Sequence, residues 1–295
     1  MPKPIPAPRE EGFTTTTGSP IYWAKYGRPN APKLLILHGG PGADHRYLLP
    51  QMLHLGEKHD LLFYDQRGGG RSKADARIPI TWETHVEDLG AVVEELGLDP
   101  LSIVGYSWGA MLGLLYAIEQ RGNPHLRAPD RMALISPAPL TKEYRRQFEA
   151  EFARRQQSPE IQRMREELGA SGLREWAPEA YRQRAFELGV AGYFSNPRNA
   201  KDLTPFRVVG SVQQSVWESL GNFNLISDLK GIRIPSIIIC GRDDPIPFAS
   251  SSAGASALGT NLVVLDECGH VPYVEQPEKL FTVLDQFLMN PLRPY

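Results

Sequence analysis

Gly105-Tyr106-Ser107-Trp108-Gly109 fits the pattern G-x-S-x-G. A serine so flanked is suited to acyl transfer when it stands on a tight turn from a strand into a helix. Side chains two positions before and two after the serine would clash in such a turn, which explains both glycines. The strained backbone lifts Oγ off the sheet, and a helix N-terminus beneath it favours developing negative charge. The serine then needs a base, and the base needs an orienting acid.

In a strand–turn–helix site of this kind the chain order is serine, acid, histidine. Of seven histidines only His125 and His270 follow Ser107. His125 lies in the polar stretch Gly122-Asn123-Pro124-His125 and reads as a surface loop residue. His270, in Cys268-Gly269-His270 after the apolar run 262–265, is the candidate base. Cys240-Gly241-Arg242-Asp243-Asp244-Pro245 follows another apolar run and offers two acids. Asp244, past the turn, is favoured, with Asp243 as the fallback; Asp130 begins a strand rather than ending one and is a weaker rival.

An oxyanion needs two backbone N–H donors. Trp108, the residue after the serine, supplies one. The other is expected from His38-Gly39-Gly40-Pro41-Gly42, where glycines let backbone approach a substrate closely. Gly40 is assigned and Gly39 is the alternative, while His38 is expected to hold the loop in shape. Asp65-Gln66-Arg67-Gly68-Gly69-Gly70-Arg71-Ser72 lacks the lysine and following helix of a phosphate-binding loop. It reads as a structural loop with Asp65 and Arg67 as buried or half-buried hydrogen-bonding residues.

The elements that must carry these residues follow from the hydrophobic pattern. Runs at 34–37, 61–64, 101–104, 132–135, 237–239 and 262–265 are apolar or nearly so without alternation, as strands buried on both faces are. Phe13–Thr17 and Ile21–Tyr26 around Gly18-Ser19-Pro20 suggest an antiparallel hairpin. Helical spacing appears over 81–96, 108–120 and 278–288. Strands alternating with helices imply an α/β fold: a mostly parallel central sheet with helices on both faces. The alternation breaks between about Leu140 and Gly221, where charged stretches and Pro159, Pro178, Pro197 and Pro205 suggest short helices with solvated faces. The chain therefore divides into a core of residues 1–138 and 225–295 and an inserted helical cap of residues 139–224.

Bulk properties narrow the partners. The chain has 295 residues and a formal net charge of −2, which gives no footprint for nucleic acid or an anionic membrane surface. The two cysteines, Cys240 and Cys268, read as buried free thiols rather than a disulfide framework. Met1 to Pro8 has no apolar stretch of signal-peptide type. A cytoplasmic protein acting on a small molecule or short peptide is expected, without metal or organic cofactor; oligomeric state is left open.

Taken together, these motifs resemble the proline iminopeptidase family of α/β-hydrolase serine peptidases. The resemblance rests on 38–42, 65–72 and 105–109 in that order, on Gly241-Arg242-Asp243-Asp244, and on Gly269-His270. It covers roughly Gly12 to Pro137 and Ile232 to Met289. It implies an α/β-hydrolase fold with Ser107, Asp244 and His270 as catalytic residues and Gly40 and Trp108 as the oxyanion hole. It also implies a cap glutamate that holds the substrate's α-amino group, three residues before a Tyr-Phe pair. Here the pair is Tyr193-Phe194 and the matching position is Val190; Glu175, Glu187 and Glu218 are the acids nearby. An esterase or other small-acyl hydrolase on the same core, and a catalytically silent binding protein, are the alternative readings.

Overall fold

The unbroken apolar runs become strands, buried on both sides except for the partly exposed edge run 262–265. The computed structural model describes residues 4–75 and 77–289. Eight strands form one sheet: β1 (Glu10–Phe13), β2 (Tyr22–Gly27), β3 (Lys33–Leu37), β4 (Asp60–Tyr64), β5 (Ser102–Tyr106), β6 (Arg131–Ile135), β7 (Ser236–Gly241) and β8 (Asn261–Leu265). Their order is β1-β2-β4-β3-β5-β6-β7-β8. β1 pairs with β2, and β2 with β4, antiparallel; every other pair is parallel.

Alternate residues of each central strand feed opposite cores, as the strand period requires. Leu35, Leu37 and Ile103 pack with Val86, Leu89, Met111 and Leu112 on one face. Leu34, Ile36 and Val104 pack with Met52, Leu55, Leu280 and Leu284 on the other. The first face is covered by α1 (Trp82–Glu95) and α2 (Trp108–Gln120). Thr81 caps α1 in a reciprocal box with Thr84.

Between β6 and β7 the chain runs through α3 (Lys142–Gln156), α4 (Pro159–Ala170), α5 (Leu173–Trp176), α6 (Pro178–Val190), α7 (Gly210–Ser219) and α8 (Ile226–Leu229). Helix α3 buries no residue fully, and pairs such as Arg145–Glu149 and Arg154–Glu151 lie along it in solvent. Helix α9 (Phe248–Leu258) joins β7 to β8, and α10 (Pro272–Glu275) and α11 (Pro277–Met289) follow β8. No helix among the described residues is long and apolar enough to cross a membrane.

One expectation fails. The strand read over Phe13–Thr17 ends at Phe13, and β1 lies earlier. The Glu95 carboxylate accepts the Thr15 and Thr16 N–H groups at 2.8 and 2.9 Å, and Thr14 Oγ1 accepts the Ile21 N–H at 2.9 Å. These β-branched residues therefore make a side-chain-capped turn, because a carboxylate 80 positions away takes donors that a neighbouring strand would otherwise need.

Candidate active site

All the parallel strands deliver their C-terminal ends to one edge, where ligands of open α/β sheets bind. Ser107 follows β5 and caps α2 with φ 54° and ψ −117°. A non-glycine residue in that region costs on the order of 1–3 kcal/mol and persists only when its surroundings enforce it. Here the Ser107 N–H is held by the Ile135 carbonyl at 2.9 Å, and its own carbonyl accepts Ala110 and Ala138 N–H at 3.1 and 3.0 Å. A Cβ on Gly105 would meet the Ala110 Cα at 2.6 Å, and one on Gly109 would collide with the Leu37 carbonyl. Both glycines are sterically required.

His270 Nε2 lies 2.9 Å from Ser107 Oγ, and His270 Nδ1 lies 3.0 and 3.1 Å from the two oxygens of Asp244. A carboxylate beside Nδ1 keeps the ring proton there, which leaves Nε2 as an acceptor for the serine hydroxyl. Both side chains are only 6% exposed. Asp244 is braced by the Ile246 N–H at 2.9 Å. Asp243 turns away, and its carboxylate accepts the Ser195 hydroxyl at 2.7 Å. His125 is exposed, and Asp130 accepts the Leu101 N–H at 2.7 Å at the opposite end of the sheet.

The loop after β3 packs directly on the serine: a Cβ on Gly39 would lie 3.1 Å from Ser107 Cβ. The Gly39 N–H donates to Tyr47 Oη at 2.6 Å and so is occupied. Gly40 adopts φ 137°, and neither its N–H nor that of Trp108 has a protein acceptor among the described residues. His38 is fully buried; its Nε2 accepts the Gln66 N–H at 3.1 Å, so Nδ1 carries the proton and donates to Gly39 O at 2.6 Å. Burial holds its pKa down, and the ring stays neutral. Gln66 also donates to the His38 carbonyl at 2.8 Å and accepts the Trp108 indole N–H at 2.9 Å. One glutamine thus ties together the two loops that carry the free N–H groups.

The loop after β4 is structural, as its residues suggest. Burial alone would raise the Asp65 pKa, but the His45 hydrogen bond at 2.7 Å, with the Arg71 N–H at 2.8 Å, outweighs it and holds the carboxyl below its ordinary value. Arg67 makes a two-pronged pair with buried Asp88, at 2.8 Å through Nε. Cys240 and Cys268 are buried free thiols, and burial raises Cys240 to about 11. Among the described residues no cluster of three or more potential metal ligands occurs.

The three acids singled out in the helical segment pair with other side chains or face solvent. Glu187 is buried against Gln183 and Arg184 at 3.1 and 3.0 Å, Glu175 is exposed, and exposed Glu218 accepts Gln214 at 2.7 Å. Val190 is buried. What surrounds His270 is aromatic: the Tyr193 and Tyr106 rings lie 5.3 and 5.4 Å from it, and Tyr47 continues the belt to Phe206 at 4.5 Å. Three residues at this edge escape a reading of the sequence. Tyr193 O accepts the His270 N–H at 2.7 Å, Ser195 holds Asp243, and Glu275 accepts the Gly269 N–H at 2.7 Å. Each acts through backbone or across segments, so the only local signal is Gly269 itself.

The chain that gathers Ser107, His270 and Asp244 at one sheet edge has clear relatives. A model of the alpha/beta hydrolase family matches residues 34–283. The proline iminopeptidase of Heyndrickxia coagulans is 28% identical over 94% of this chain and 98% of its own length. That of Thermoplasma volcanium is 27% identical over 95% and 96%. Among solved structures, a proline iminopeptidase-related protein from Thermus thermophilus superposes with a TM-score of 0.70 at 23% identity, covering 95% of this chain and 96% of that one. An enol-lactonase from Burkholderia xenovorans shares the fold with a TM-score of 0.66 at 19% identity, over 95% and 100%. The chain belongs to the alpha/beta hydrolase family of enzymes and is proline iminopeptidase-like within it.

Proposed function

We propose that the protein is a serine hydrolase that cleaves an acyl bond of a small molecule or short peptide. The observation that carries this reading is the unbroken line from Asp244 through His270 to Ser107 Oγ. His270 Nε2 takes the hydroxyl proton as Oγ attacks the carbonyl carbon. The Gly40 and Trp108 N–H groups, which find no acceptor among the described residues, bind the oxyanion. His270 then gives its proton to the leaving amine or alcohol. Water, deprotonated by the same ring, releases the acyl group and restores Ser107. Asp244 fixes the tautomer and stabilises the imidazolium. These steps need no metal or organic cofactor.

The relatives named proline iminopeptidases support an N-terminal prolyl amide as the first substrate class. A second reading, an esterase or small-acyl hydrolase, is favoured by a specific observation. Val190 occupies the position where a cap glutamate is expected, Glu187 is paired with Arg184, and the surroundings of His270 are aromatic.

Hydrolysis of a proline arylamide, compared with that of a short-chain aryl ester, decides between the two. Turnover of both at wild-type rate by purified Ser107→Ala would remove Ser107 from the chemistry. Activity on neither substrate, with no labelling of Ser107 by a fluorophosphonate, would instead indicate a binding protein on this fold.

A further inference from the structure

Glu275 ends the short helix α10, five positions after His270. None of the steps above uses it. Its half-buried carboxylate nevertheless accepts four N–H donors. Oε2 takes the Gly269 N–H at 2.7 Å and the Ser195 N–H at 3.2 Å, and Oε1 takes the Asn196 N–H at 3.2 Å and Asn199 Nδ2 at 3.3 Å. Gly269 belongs to the loop that carries His270. The other three belong to the helical segment inserted between β6 and β7. A single carboxylate therefore spans the seam between the two.

Other contacts cross the same seam. The His270 N–H donates to the Tyr193 carbonyl at 2.7 Å. The Ser195 hydroxyl donates to Asp243 Oδ2 at 2.7 Å, and the Arg155 guanidinium donates to the Asp243 carbonyl at 2.5 Å. A Cβ on Gly269 would collide with the Tyr193 carbonyl oxygen and come within 2.8 Å of the Ser195 nitrogen. The loop reaches the segment this closely only because it is glycine at that point. Both loops that orient the base, one bearing Asp243 and Asp244 and the other His270, are thus held from residues 193–196.

We propose that Glu275 is a positioning residue: it locks Tyr193–Asn199 onto the His270 loop, so that His270 stands in line with Ser107 only while that segment is seated. The proposal rests on the Ser107 hydrolase reading. Glu275 touches neither reacting side chain and acts through Gly269 and the Tyr193 carbonyl. Hydrogen bonds to an ionised acceptor are roughly twice as strong as neutral ones, so four of them on one carboxylate make a stiff clamp. A base displaced by about 1 Å loses on the order of 10²-fold in rate.

The test compares wild type, Glu275→Gln and Glu275→Ala in two independent measurements. The first is amide hydrogen exchange of Gly269, Ser195 and Asn196, read by NMR in the unliganded protein. The second is steady-state hydrolysis as a function of pH. The lock predicts that these three amides exchange faster in both variants. It predicts that kcat falls about 10²-fold in Glu275→Ala, with KM little changed. Glu275→Gln, which keeps one carbonyl acceptor, should recover part of the loss, and the acid limb of its kcat/KM profile should move as His270 loosens. Unchanged exchange of these amides, or a KM effect with kcat intact, would overturn the proposal. If Glu275→Ala does not fold, Glu275→Gln alone decides. Failure of the hydrolase reading looks different: wild type then shows neither turnover nor fluorophosphonate labelling, while the exchange measurement still reports whether Glu275 holds the seam.

Discussion

A Cβ on Gly109 would lie 2.5 Å from the Leu37 carbonyl carbon, on the strand beside the serine turn. The obstacle is backbone of a central strand and cannot move aside. Gly109→Ala should therefore lose about 3 kcal/mol, the upper end of what overpacking costs. Its denaturant midpoint should fall accordingly, and hydrolysis should fall with it. A Gly109→Ala protein of wild-type midpoint would contradict the packing at this turn.

Ser107 itself sits at φ 54°, where glycine is comfortable and serine is not. Ser107→Gly should raise stability by about 1 kcal/mol by removing that strain. The same change should lower kcat on the order of 10⁶-fold, as loss of a nucleophile does. Denaturation and turnover measured on one preparation should thus move in opposite directions. A destabilised Ser107→Gly would show that the turn is not strained.

Asp243 and Asp244 are neighbours in sequence but face different partners. Asp244→Asn should lower kcat about 10⁴-fold by presenting the wrong hydrogen-bond pattern to His270 Nδ1. Asp243→Asn should disturb only the Ser195 contact, worth about 1 kcal/mol of stability. Kinetics of the two variants side by side would reverse the assignment if Asp243→Asn were the slower enzyme.

His85 is buried beside Trp108, with Nε2 3.2 Å from the Arg67 carbonyl, and burial depresses its pKa to about 4. The unfolded chain takes up this proton near 6.5, before the folded one does, so stability is full above that pH and declines as pH falls toward 4. The slope is at most about 1.4 kcal/mol per pH unit for one such group. His38 and His59, depressed mainly by burial, act in the same direction. Urea melts at several pH values should show this decline, and His85→Gln should make it shallower. An unchanged slope in His85→Gln would assign the acid sensitivity to other groups.

The sheet and the meeting of Ser107, Asp244 and His270 are legible in the sequence because chemistry and topology constrain them together. A serine between two sterically required glycines has one place to stand, and parallel strands bring every following loop to the same edge. Gly40 is assigned over Gly39 from the sequence, but the physical reason is not legible there: Tyr47 takes the Gly39 N–H from a turn eight residues on. The turn at Thr14–Thr17 is misread for a related reason: local β-propensity cannot report that Glu95 lies beside it. Glu275 is invisible on both counts, since a helix glutamate looks solvated until the segment that donates to it is docked.

Ser107 and His270 are 163 positions apart, and the base arrives on the loop after the last strand of the sheet. A growing chain that has emerged only as far as β7 carries the serine turn without its proton acceptor. On the mechanism proposed above, acyl chemistry switches on only with the completion of the fold, and an unfinished or C-terminally clipped molecule holds an inert hydroxyl. Bringing these two side chains together closes a long loop, whose entropic cost the packing of the whole sheet offsets.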